Sequence, residues 1–168
     1  MTLDDTLSFI HVIAGSAALV VGPVAMWAPK RIGLHSRLGE VFFVAVTAVC
    51  VSGGTLGALY WESRAPFVFI ALGTFAFALL GYVAAKRRWR RWLIAHVLGQ
   101  GSAYTAMTTA FIVANWDELT GTPGTDVPAV FLVPMAIGTI AVAWLVYEVH
   151  AGRRPHLPPV TVGDPPSI

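Results

Sequence analysis

The chain has 168 residues, 56% of them hydrophobic and 12% charged, and a mean hydropathy of +0.69. A soluble domain carries about a quarter of its residues as Asp, Glu, Lys and Arg, so this composition excludes a water-facing globular domain and reads as an integral membrane protein. Cys50 is the one cysteine, which excludes an internal disulfide and a cysteine-based zinc or iron–sulfur site, and the net charge of +2 comes from basic residues flanking apolar runs, a membrane pattern and not a nucleic-acid one.

Five stretches lack any Asp, Glu, Lys or Arg: residues 6–29, 41–61, 65–85, 92–116 and 127–147, each of 21 to 25 residues. At 1.5 Å per residue these make about 31 to 37 Å of helix, enough for a hydrocarbon core of about 30 Å. The expected fold is all-α: an integral membrane up-and-down bundle of five transmembrane helices over residues 1–151. A proline-rich tail, residues 152–168, has too little apolar content to fold and is expected to be disordered. The first stretch follows Asp4 and Asp5 where a secretory signal would carry basic residues, so it reads as a retained span. The connection over residues 115–128, with Gly121, Pro123 and Gly124, reads as turns.

Basic residues alternate between connections. Lys30, Arg31 and Arg37 lie in the first, Lys86, Arg87, Arg88, Arg90 and Arg91 in the third, and Arg153 and Arg154 follow the fifth span; Arg64 lies on the other side, with Asp4, Asp5, Glu62, Asp117, Glu118 and Asp126. The positive-inside rule then puts the N-terminus outside and the C-terminus in the cytoplasm of a cell that carries the chain in its cytoplasmic membrane. Trp27, Trp61, Trp89, Trp92 and Trp116 fall at the interfaces, where indoles prefer to sit. The basic run from Lys86 to Arg91 fits contact with anionic lipid, so the expected partner is the bilayer, with no nucleic acid.

Lipid supplies no hydrophobic force between helices, so close packing needs small residues four apart. Such stripes are Ala14, Ala18 and Gly22 on the first span, Gly53 and Gly57 on the second, and Ser102, Ala106, Ala110 and Ala114 on the fourth. A homo-oligomer or a membrane-complex partner would dock through faces of this kind. His11 shares the face of Gly15, Ala18 and Gly22 and points at protein. The fourth span also carries the most polar helix face in the chain, formed by His96, Gln100, Tyr104 and Met107.

Histidine chemistry supplies the candidate site. By topology His35, His96 and His150 gather at the cytoplasmic rim: three histidines can ligate a transition metal, and two can be the axial ligands of a b-type haem. Gln100 and Tyr104 continue the polar face inward from His96, so His35, His96, Gln100 and Tyr104 form the candidate cofactor pocket, and His35, His96 and His150 the candidate metal set. Histidines at a rim also cap helix ends or meet headgroups. His11, alone within its span, is either an interhelical hydrogen bonder or functional. Arg37 and Glu40, like Glu148 beside Arg153 and Arg154, read as a rim ion pair. No acid or base lies at mid-membrane, which argues against an ion pump.

These residues resemble a family of uncharacterised bacterial and archaeal multi-span membrane proteins grouped as a domain of unknown function. The resemblance lies in His11, Gly15, Ala18, Gly22 and Pro23 on the first span, in Leu34, His35, Arg37 and Gly39 opening a later one, and in His96 after the basic loop. It covers about the first two-thirds of the chain. Ser36, where the family usually has arginine, and Val97, where it continues with a basic residue, depart from it. The layout is also loosely similar to transmembrane b-type cytochromes, with histidines for one haem on the cytoplasmic side and not two. Two functions remain open: a redox or metal-binding membrane protein using rim histidines, and a non-catalytic subunit or small-molecule permease in which the histidines only pack. Neither names a substrate or settles whether the chain is an enzyme.

The topology has a direct check. A cysteine at Gly121 is expected to react with an impermeant thiol reagent from outside, and one at Trp89 only after the membrane is opened; labelling of both from one side refutes five spans.

Overall fold

The computed structural model describes residues 2–29, 33–121 and 128–152, Pro128 without its side chain. The expected disordered tail with His156, the basic residues Lys30, Arg31, Arg153 and Arg154, Asp126, and the turns at Pro123 and Gly124 lie outside the described residues. What is described is helical: α1 (Leu3–Trp27), α2 (Leu34–Leu59), α3 (Trp61–Arg87), α4 (Trp92–Ala114), the short α5 (Trp116–Thr120) and α6 (Pro128–His150). Four of them, α1, α2, α3 and α6, are long and apolar enough to cross a membrane. α4 has 23 residues, as many as α6, and is less apolar because it carries His96, Gln100, Tyr104 and several hydroxyls.

Local chemistry sets the ends. Thr2 and Asp5 form a capping box at α1: Asp5 N–H donates to Thr2 Oγ1 at 3.2 Å and Thr2 N–H to the Asp5 carboxylate at 2.8 Å. α1 stops just before Pro29, which has no N–H to extend it. Gly33, at φ 137°, makes the turn into α2 in a region that side chains disfavour. Helix α2 starts well before the charge-free stretch, so Arg37 and Glu40 ride on its first two turns. Only Tyr60 separates α2 from α3, while Arg88 and Arg91, both left-handed, turn α3 into α4. The connection read as turns holds the one short helix α5, closed by Gly121 at φ 66°.

Consecutive helices pack antiparallel, and α1 to α4 share one core of Ala18, Phe42, Ala45, Val46, Cys50, Ala78, Ala103 and Met107. The inward face expected for α1 is the buried one, through Ala18, Gly22 and Ala25. Small residues make the contacts close. A Cβ at Gly99 would lie 2.5 Å from Gly81 N and 2.6 Å from Phe77 O, so α3 and α4 touch backbone to backbone. Gly57 lies against Val68 between α2 and α3, and Gly53 against the His11 ring between α1 and α2. α6 joins through Gly138, which faces Thr105, and through Val142, which packs on Gly101. Its one substantial neighbour is α4, so Ile137, Ile140 and Trp144 stay exposed to the bilayer. The small-residue faces are thus used within one chain. On α4 the small residues Gly99, Gly101 and Ala103 are buried, between α3 on one side and α6 on the other, while Ser102, Ala106 and Ala110 are half-buried and Ala114 is exposed.

The Gly81–Gly99 contact predicts an asymmetry. Gly99→Ala forces backbone apart and is expected to cost about 1 to 3 kcal/mol by overpacking. Gly73→Ala, with nothing within 4 Å of its added Cβ, should be neutral or gain up to about 1 kcal/mol of helix propensity. Thermal unfolding of both variants in one detergent measures the difference.

A histidine pair at one end of the bundle

α2 and α4 both begin at the end of the bundle where α1 and α3 finish, and each brings a histidine there. His35 is the second residue of α2 and His96 the fifth of α4. Their ring planes are nearly perpendicular, at 82°, with centroids 6.2 Å apart. Each is held from behind by a helix carbonyl. His35 Nδ1 lies 2.8 Å from Ala25 O of α1, and His96 Nδ1 lies 2.9 Å from Gly81 O of α3. A carbonyl oxygen only accepts, so Nδ1 carries the proton in both rings, and the lone pair of each neutral imidazole sits on Nε2. Pro29, four residues after Ala25, has no N–H to return to that carbonyl.

The surroundings are aromatic and basic. The Trp92 ring lies 6.3 Å from that of His96, and the Arg88 guanidinium stands 5.6 Å over Trp92. Neither Trp92 nor Arg88 was marked as a site residue by sequence, although Trp92, four before His96, shares its helix face. Arg37 is exposed two residues, about half a turn, beyond His35. Glu40 pairs with Lys86 of α3 and not with Arg37, since α3 returns beside the first turns of α2. Both members of that pair are half exposed, so its contribution to stability is small.

One turn inward from His96, Gln100 Nε2 donates to Ala78 O at 3.0 Å, while its buried Oε1 has no partner. One turn further, the Tyr104 hydroxyl donates to Leu19 O of α1 at 3.2 Å. The polar face of α4 is therefore directed at protein along its length, toward main-chain carbonyls of α3 and α1.

One expected member of the site is elsewhere, and His11, outside the expected set, lies apart as well. His150 is the exposed last residue of α6, and among the described residues no group of three His, Cys, Asp or Glu is placed to hold a metal ion. His35 and His96 are brought together while His150 stays apart, because α6 packs mainly on α4 and ends with His150 exposed. His11 lies fourteen residues before Ala25 in α1, about 21 Å along the axis, toward the other end. Its Nδ1 faces Val49 O at 3.2 Å and Ser52 Oγ at 3.3 Å, and the Ser52 hydroxyl proton goes to Ala48 O. Beyond it, at the chain's first turn, the Tyr60 hydroxyl donates to Asp4. That bond, together with the Asp4 charge, holds the phenol above its ordinary range, so this clasp is intact below about pH 10 and is lost as the phenol ionises.

Residues 8–147 match the family described as predicted membrane protein, DUF2306. The chain belongs to this family. The matched region spans the helices from α1 nearly to the end of α6 and includes His11, His35 and His96, with His150 just outside it. No activity attaches to the family description. Comparison with curated proteins and with solved structures returned no match.

Gln100 offers a test of the site's polar floor. Its Oε1 gains nothing inside the protein, so Gln100→Met is expected to change stability by less than about 1 kcal/mol, far below the cost of deleting a fully satisfied buried group. Unfolding midpoints in detergent report this directly.

Proposed function

We propose that this membrane protein binds one b-type haem at the basic end of the bundle, with His35 and His96 as its two axial ligands, and that it serves as a one-electron carrier. The observation that carries the reading is the ring separation. An imidazole nitrogen lies ~2.0–2.1 Å from a bound metal and ~1.1 Å from its own ring centroid, so two rings on opposite sides of one ion have centroids about 6.3 Å apart. The observed 6.2 Å fits that arrangement.

Ligand count favours haem over a bare ion. A structural or catalytic zinc site takes three or four protein ligands, whereas a porphyrin supplies four of its own and asks the protein for two. The Nδ1–carbonyl bonds behind both rings are what a metal-ligating histidine uses to fix its tautomer and raise its basicity. Arg37 and Arg88 sit at the same end, where propionates would emerge. The alternation of basic connections supports placing this end in the cytoplasm, the N-terminus outside, and the chain in the cytoplasmic membrane.

Protein expressed with added haem precursor and purified in detergent should show a Soret band with one iron per chain. His35→Ala and His96→Ala should each abolish it, and His156→Ala should leave it unchanged. Bound metal without a Soret band would replace haem by an ion; neither signal would leave the histidines as packing donors in a membrane subunit or permease.

A further inference from the structure

Two prolines, Pro23 within α1 and Pro29 just past its end, fall four residues after carbonyls that are reached by other helices. Pro23 has no N–H to return to Leu19, and the hydroxyl of Tyr104 donates to that oxygen at 3.2 Å. Pro29 has none for Ala25, and His35 Nδ1–H donates there at 2.8 Å. Tyr104 meets the first break twice: a Cβ at Gly22 would come within 2.7 Å of its ring, so ring and hydroxyl grip the Gly22–Pro23 step together. Ala25 lies just past this step.

We propose that Tyr104 is a positioning residue for the His35–His96 site, acting through the Gly22–Pro23 break to hold the Ala25 carbonyl where His35 donates to it. A proline inside a helix both deletes a hydrogen bond and bends the axis. Ala25 is three residues beyond Gly22, about 4.5 Å along the helix, so a change in bend of ~15° displaces its carbonyl by about 1 Å. That is enough to take a 2.8 Å bond beyond hydrogen-bonding range. Loss of such an acceptor weakens a ligating histidine by about 10- to 100-fold in affinity when it is direct; the effect relayed from Tyr104 is a fraction of that. The inference rests on the haem reading only for its second readout.

The test uses a rescue. Pro23→Ala restores a backbone N–H four residues after Leu19, which can satisfy the carbonyl that Tyr104→Phe abandons. Full-length protein labelled with ¹⁵N-histidine and held in lipid nanodiscs reports the His35 ring nitrogens, assigned by their loss in His35→Ala. Tyr104→Phe is expected to shift them away from a fixed Nδ1–H tautomer and to speed haem release roughly three- to tenfold; measured against Pro23→Ala alone, whose α1 is straighter, adding Tyr104→Phe should produce neither effect. Thr108→Val, which removes a hydroxyl donating within α4 to Tyr104 O, should change neither. Unmoved His35 resonances in Tyr104→Phe, or equal shifts with and without Pro23→Ala, overturn the proposal, the latter by showing that the ring acts through packing alone. Protein that never binds haem but shows the rescued resonance shift would sink the haem reading and leave this inference standing.

Discussion

Lipid tails are as apolar as leucine, so nothing in the bilayer presses one greasy helix on another, and a bundle must find its cohesion where backbones can touch. Gly81 against Gly99 is the closest such place. It sets α4 on α3, and the same approach brings the Gln100 amide to Ala78 O and the His96 ring to Gly81 O. Turned toward lipid, those donors would each cost several kcal/mol unpaired. The least apolar helix is therefore the central one, packed by α3, α6 and α1.

A second regularity follows. His11, His35, His96, Gln100 and Tyr104 each address a carbonyl of a neighbouring helix: Val49, Ala25, Gly81, Ala78 and Leu19. In every case the side chain donates and the main chain accepts, which leaves the acceptor helix free in its side-chain sequence. For the two paired imidazoles the consequence is chemical. Committing Nδ1 to structure places the lone pair of each neutral ring on Nε2, so the contacts that hold the helices together also fix the tautomer of both rings.

The long helices were legible because a charge-free run of this length has little alternative in a membrane, and the burial of Ala18 and Gly22 because small residues recur at helical spacing. α5 was hidden: five residues carry no periodicity. The shared end of His35, His96 and His150 followed from counting spans, but which of them meet did not, since neighbour order in space is absent from the chain and α6 could have closed on either flank. Glu40 found Lys86 for the same reason, across helices and not along one. One signal was present and unused. A proline cannot return a backbone hydrogen bond to the carbonyl four residues before it, and Pro23 and Pro29 point to Leu19 and Ala25, where Tyr104 and His35 arrive.

Tyr60 alone joins α2 to α3. Helices of 26 and 27 residues with one residue between them have no slack in which to part, so covalent connection alone keeps α2 and α3 side by side as a hairpin. The carbonyls that receive the donors of α4, Ala78 O and Gly81 O, belong to the second arm of that hairpin, and they therefore lie on a surface already made before α4 is reached along the chain.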